Sequence, residues 1–310
     1  MKFSWRNIVD AAKRKEWVLR LADRLGRGRG RLNVAEFFDR PPPAPLRPDL
    51  SQWNEHPLAA VWIGHATVLL RIGGKTVLTD PVFSTRVGLS FGLFTAGPRR
   101  HQRPAIKLTE LPPVDLIVLS HAHFDHLDRP TLARLSKRTP IVTSTGQRDL
   151  LEDLGYRQII ELPWGDTADV AGLRVTACPV RHWGARTFTD THRGYAAFII
   201  ESAEHRVLYG ADTALHDGWR GSGPVDLAIV GIGAYDPYIA AHASPEQAWQ
   251  MADEVSARYV LPIHHKTFTL SREPLDEPIA RIVAAAGDRA DQIIIRDVGG
   301  MWTLAEGKTA

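Results

Sequence analysis

Apolar residues along this chain come in short runs of four to seven, broken by glycine, proline or charge, and the runs alternate with longer stretches patterned for helices. The clearest case is "VWIGHATVLLRIGGKTVLTDPVF" (61–83), two apolar runs on either side of Gly73-Gly74. Paired glycines tolerate the positive φ of a two-residue turn, so this stretch predicts a β-hairpin. Further runs predict strands at 114–119, 141–144, 173–178, 196–201, 206–210, 226–231 and 259–263.

Helical patterns lie between them. "PTLARLSK" (130–137) follows Asp128-Arg129 and puts Pro130 in a first turn. "TGQRDLLEDLG" (145–155) ends on Gly155, suited to a C-cap. "SPEQAWQMADEVSAR" (244–258) opens with Ser244 as N-cap and Gln247 three residues on, the two halves of a capping box. "EPLDEPIARIVAAAG" (273–287) is the last helical segment. A hairpin followed by strands alternating with helices predicts a mixed α/β layer fold.

Composition and charge refine this. With 310 residues and 44% apolar content, the chain can bury a sizeable core. Its one cysteine, Cys178, excludes an internal disulfide and fits a reducing compartment. The expected location is therefore cytoplasmic. No stretch approaches the roughly 20 apolar residues of a membrane span. Charge is uneven. Residues 1–31 hold ten Lys/Arg against three Asp/Glu, and the remainder 28 against 32, so the net +3 conceals a basic N-terminus. Trp5, Ile8, Val9, Ala12 and Leu19 can share one helical face there. This pattern suits a helix packed on the protein with a solvated basic side, a helix lying on the inner face of a membrane or, more weakly, a nucleic-acid patch. The proline-dense "RPPPAPLRPD" (40–49) reads as an extended linker. The expected division is a basic segment and linker at 1–50 and one catalytic domain at 51–310.

Candidate chemistry concentrates in "SHAHFDHLD" (120–128), directly after the apolar "VDLIVL". His121, His123, Asp125 and His126 all suit borderline metals. His121 and His123, two apart on an extended end, project the same way; Asp125 and His126 turn back as a second pair, so one segment can begin two adjacent metal sites. Three later residues share the strand-end context: His182 after "LRVTACPVR", Asp212 after "HRVLYGA" and His264 after "ARYVLPI". Singly, the two histidines are also what surface or core histidines look like, and Asp212 what a turn former looks like. Strand ends of one sheet can, however, converge on one cleft.

"SHAHFDH" resembles the signature of the metallo-β-lactamase superfamily, with the later His, Asp and His in that superfamily's order. "WIGHATVLLRIGGKTVLTDPVFS", "GPRRHQRPAIKLTELPPVDLIVLSHAHFDHLD", "HWGART" and "IGAYDP" together resemble the N-acylphosphatidylethanolamine-hydrolysing phospholipase D family and its bacterial relatives, over about residues 59–270. The resemblance implies a four-layer αβ/βα sandwich with two zinc ions at one edge. By motif, His121, His123 and His182 would hold one ion, Asp125, His126 and His264 the other, with Asp212 bridging. The family's ligand follows the isoleucine directly, which selects His264 over His265. Asp80 resembles an aspartate that braces the family's metal ligands, and His242 a histidine lining its active site. Asp125, Asp212 and His242 are then the candidate catalytic groups. Two departures, His265-Lys266 and Gly194-Tyr195-Ala196-Ala197 where the family favours Trp-Gly, spare the ligands and bear on substrate identity.

Two such ions can acidify a water that attacks phosphorus, while they offset the developing charge. Arg186 stands close enough after His182 to meet a substrate phosphate, but it also reads as a surface or ion-paired arginine; "GIGAYDP" (231–237) lacks nucleotide-loop spacing and reads as an active-site wall. The expected function is a zinc phosphodiesterase of the phospholipase D kind, acting on a glycerophospholipid and on no nucleic acid. A lactonase like those acting on ascorbate 6-phosphate, a nuclease, and a binding protein with a decayed metal centre are the rival readings.

Overall fold

A computed structural model describes residues 40–90, 95–187 and 189–304, so the expectation for the basic segment 1–31 falls outside the described residues. In chain order the strands are β1 (Leu58–Gly64), β2 (Thr67–Ile72), β3 (Lys75–Thr79), β4 (Leu89–Ser90), β5 (Thr95–Ala96), β6 (Leu116–Leu119), β7 (Ile141–Ser144) and β8 (Ile159–Leu162). They continue as β9 (Thr167–Val170), β10 (Leu173–Cys178), β11 (Ala197–Glu201), β12 (Arg206–Ala211), β13 (Val225–Gly231), β14 (Ala257–Ile263) and β15 (Met301–Thr303). The helices are α1 (Arg129–Leu132), α2 (Asp149–Glu152), α3 (Pro245–Glu254) and α4 (Glu277–Ala286).

Two sheets carry the fold. The first runs β15-β1-β2-β3-β6-β7-β8 and the second β14-β13-β12-β11-β10-β9. Each contains a parallel part, β3-β6-β7-β8 in the first and β12-β13-β14 in the second. Alternate residues of β1 and β2 (Leu58, Ala60, Trp62; Val68, Leu70, Ile72) meet Val175, Phe198, Ile200 and Tyr209 of the second sheet in the central core. The alternation follows from the period-2 geometry of strands. The outer faces are buried too, the first sheet against α1 and α2 through Leu132 and Leu151, the second against α3 and α4 through Trp249, Met251 and Ile282. That is the expected four-layer αβ/βα sandwich. Among the described residues no helix is long and apolar enough to cross a membrane.

The turn at Gly73-Gly74 forms as expected, with φ of 53° and 75° and Ile72 paired to Lys75. A side chain at Gly73 would also put its Cβ 2.4 Å from that of Ser202, so glycine is required there twice over. The capping box of α3 is made: Gln247 N donates to Ser244 Oγ (3.3 Å) and Ser244 N to Gln247 Oε1 (3.1 Å). Ser256, at φ 50°, then stops the helix short of its patterned length and turns the chain into β14. The helix expected over 145–155 is reduced to α2, because Glu161 Oε1 of β8 accepts from the amides of Gln147 and Arg148 and holds them outside it. Residues 40–49 form no helix or strand and are tied to the domain: Leu46 N donates to Val298 O (3.2 Å) and Arg103 N to Pro42 O (2.8 Å).

Candidate metal centre

The carboxyl ends of the parallel strands meet at one edge of the sandwich, where open α/β folds build their sites. His121, His123, Asp125 and His126 leave β6; Asp80 ends β3; Asp212 ends β12 and His264 ends β14. His182 lies four residues beyond β10. All the expected ligands come together. His121, His123, His182 and Asp212 bring one ligand atom each within 4.8 Å of one another, and Asp125, His126 and His264 do the same in a second group. Each group combines residues from both sheets once Asp212 or His264 is counted.

Several rings are oriented by hydrogen bonds on the nitrogen facing away from the centre. Asp80 accepts from His126 Nδ1 (2.6 Å), Ser120 Oγ (2.5 Å), Tyr209 OH (2.5 Å) and Ser120 N (2.8 Å). With the Ser120 proton given to Asp80, His121 Nδ1–H donates to Ser120 Oγ (2.8 Å). His182 Nδ1–H donates to the Ala241 carbonyl (3.0 Å). These bonds occupy Nδ1 of His121, His126 and His182 and turn Nε2 towards the centre, which is how outer hydrogen bonds prepare histidines for a metal. Asp80 therefore sets one ring directly and another through Ser120.

The inward atoms fit a cation better than they fit each other. His121 Nε2 lies 2.8 Å from His123 Nδ1, which lies 3.3 Å from His182 Nε2. His126 Nε2 and His264 Nε2 both stand 3.1 Å from Asp212 Oδ2, yet neither has a hydrogen-bond partner, nor has Asp212 Oδ1. Buried polar atoms without partners are costly unless something else satisfies them. Burial holds His121 and His182 well below the usual imidazole range and His123 down to about 4, so these rings are neutral and ready to ligate. Burial works against ionised Asp212, but His126 and His264 outweigh it and hold its carboxyl well below the carboxylate range.

The other expectations divide. His242 lines the centre, with Nδ1 3.8 Å from Asp212 Oδ2. His265 turns away and stacks on Trp62 at 4.5 Å between centroids, which agrees with His264 as the ligand. Gly233 and Ala234 of the glycine-rich stretch wall a cavity of about 160 Å³ beside His264. Arg186 does not face that space. Its Nη1 donates to the carbonyls of Ala122 and Leu127 (both 2.7 Å) and its guanidinium lies 4.0 Å from the Phe124 ring, so it braces the ligand loop instead. One residue escaped the sequence reading. His65, between β1 and β2, joins the second group with Nε2 2.8 Å from Asp125 Oδ2. The signal was present, a histidine at an apolar strand's end, but it lay inside what read as a continuous run.

Residues 75–265 match the profile of the β-lactamase superfamily domain, and the match spans the strand-end cluster from Asp80 to His264. The chain belongs to that superfamily. An uncharacterized protein of Mycobacterium tuberculosis is 35% identical over 270 residues, covering 82% of this chain and 71% of that one. The N-acyl-phosphatidylethanolamine-hydrolyzing phospholipase D 1 of Caenorhabditis elegans is 31% identical over 281 residues, covering 82% and 78%. Among solved structures, isothiocyanate hydrolase from Delia radicum gut bacteria shares the superfamily fold at a TM-score of 0.64 and 17% identity, over 79% of this chain and 99% of that one.

Proposed function

We propose that this metal-dependent hydrolase of the β-lactamase superfamily is a dinuclear zinc phosphodiesterase. It releases an N-acylethanolamine, or a similar head group, from a glycerophospholipid in the phospholipase D manner. The observation that carries the reading is the pair of histidine-carboxylate groups meeting at Asp212, in a chain similar along most of its length to a phospholipase D of that kind. His121, His123 and His182 would hold one ion and Asp125, His126 and His264 the other, with Asp212 shared. A pair of zinc ions supplies charge for a phosphoryl oxygen and an acidified water. Asp80, Ser120 and Tyr209 keep the rings aligned, and His242, at the edge of Asp212, is positioned to hydrogen-bond a phosphoryl oxygen. Phe268, Leu270 and Leu275 give the cavity beside His264 apolar walls suited to a lipid chain. Residues 1–31 would bring the enzyme to the cytoplasmic face of an anionic membrane, each Lys or Arg near the surface contributing about 1 kcal/mol.

Zinc-loaded protein offered vesicles of N-acylphosphatidylethanolamine, a lactone and RNA in parallel should release N-acylethanolamine and leave phosphatidic acid. Turnover confined to the lactone or the RNA would replace this reading with the corresponding rival. Deleting residues 1–31 should weaken binding to anionic liposomes and slow hydrolysis of lipid held in them, while a small soluble phosphodiester is turned over unchanged. Raised salt should imitate the deletion. Equal loss on soluble and bilayer substrates would assign the segment to the fold.

A further inference from the structure

We infer that His65 is a positioning residue for the metal centre: its Nε2–H holds Asp125 in ligating orientation, and its backbone carbonyl anchors His264. The inference rests on the metal-centre reading above and assigns a role to a residue outside the expected ligand set.

His65 sits where the apolar run of β1 breaks. Its φ is 54°, in the left-handed region that glycine or asparagine usually fills. Holding another residue there costs of order 1 kcal/mol or more, and such positions persist where the surroundings fix them. The surroundings here do so. His65 N donates to Thr267 Oγ1 (2.7 Å), and its carbonyl accepts from Trp62 Nε1 (2.8 Å) and from His264 N (3.1 Å). The ring is buried between His264, at 4.1 Å between centroids, and Phe268, at 5.1 Å. One residue thus touches two ligands, Asp125 through its side chain and His264 through its backbone.

The ring's contact with Asp125 is the observation that favours a positioning role over direct ligation. His121, His126 and His182 place the second ring nitrogen on an acceptor, whereas the outward nitrogens of His123 and His264 are buried without a partner. His65 Nδ1 is buried without any partner. If Nε2 bound metal, Nδ1 would carry an N–H with nowhere to donate, which is the costlier arrangement. With the proton on Nε2, it is given to Asp125 Oδ2 at 2.8 Å and only a bare lone pair is left over. Asp125, its carboxylate fixed on one side, is then constrained in how it can meet an ion beside His126 and His264.

The test uses the full chain loaded with zinc or cobalt(II). The wild-type protein gives the reference: if it takes up no metal, the metal-centre reading itself has failed. Given a loaded wild type, His65→Ala should weaken one of the two sites 10- to 100-fold in competition with a chelator, leave the other near wild type, and shift the cobalt(II) absorption of the weakened site. His65→Gln, which can return an N–H near the same place, should recover most of the affinity and the spectrum. Long-range proton–nitrogen NMR of the zinc-loaded wild type needs no variant and should show His65 protonated on Nε2 and bare on Nδ1. Unchanged affinity in His65→Ala overturns the inference. So does a metal-shifted Nε2, or the loss of one nitrogen ligand from the cobalt spectrum in both variants, since either makes His65 a ligand.

Discussion

The two ends of this sandwich solve the same problem, turning a chain at a strand end, in opposite ways. At one end glycine serves at left-handed turn positions, Gly73 against Ser202 and Gly172 between β9 and β10, and the left-handed residues there other than glycine, Ala171 and Ser256, carry no chemistry. At the other end the left-handed positions after β1, β3 and β14 are His65, Asp80 and His264, and Ala211 stands just before Asp212. Glycine costs little steric strain at such positions, whereas these residues cost more. The far end therefore spends its residues on stability, and the near end accepts strain to aim chemical groups. Backbone outliers lead here from conformation to function.

Substitutions at the two ends should separate activity from stability. The largest effect expected is Asp212→Ala, which removes the oxygen that both ligand groups approach. Bound metal should fall sharply and hydrolysis by about 10³-fold or more, while circular dichroism of the metal-free protein stays native-like. His123→Ala should behave alike, and chelation should reproduce both. Retained turnover without metal would remove the hydrolytic role of the centre.

Gly73→Ala at the far end should do the reverse. It should cost about 2–4 kcal/mol in denaturant unfolding, through positive φ and the Ser202 contact, with metal content and kcat unchanged below the transition. Metal loss in this variant would mean that the two ends are coupled. At the near end, His264→Ala should empty or weaken one site, whereas His265→Ala should keep both metals, by elemental analysis, and lose stability through the stack on Trp62.

The smallest effects lie away from both ends. Arg281 holds both oxygens of Glu246 at 2.8 Å and, by these hydrogen bonds, lowers its carboxyl to about 2. The lowered value makes the pair's contribution present above the unfolded pKa near 4.5 and lost as pH falls towards 2. Because the pair is largely solvated, Glu246→Gln should cost under about 1 kcal/mol at neutral pH, and that cost should fade as pH falls through about 2. Burial raises the Cys178 thiol to about 11, so thiol reagents should leave it unmodified at pH 8 until the protein unfolds.

The same contrast explains what could be read from the chain alone. Gly73-Gly74 and the capping box of α3 were legible because local chemistry decides them. The cluster at His121–His126 was legible because few other demands put so many imidazoles after a buried strand. Convergence with His182, Asp212 and His264 was suggested by repeated context, but only packing brings the atoms together. His65 was hidden because nothing local marks a left-handed histidine inside an apolar run; the anchor comes from Thr267, some two hundred residues on. Strands β8, β9 and β15 are short and weakly patterned, with β9 largely exposed, and they exist because a neighbouring strand offers an edge. Arg186 could not be assigned for a related reason: a charge near a site reads equally as a substrate clamp or as an ordinary structural arginine until its carbonyl partners are known.

The contribution of both sheets to each ligand group has a consequence for how the protein matures. A nascent chain that has exposed only His121–His126 offers a fragment of each pocket, and Asp212 and His264 are made much later. A full set of donors arises only after the second sheet has docked on the first. Binding by the full donor set is thereby coupled to assembly of the two sheets.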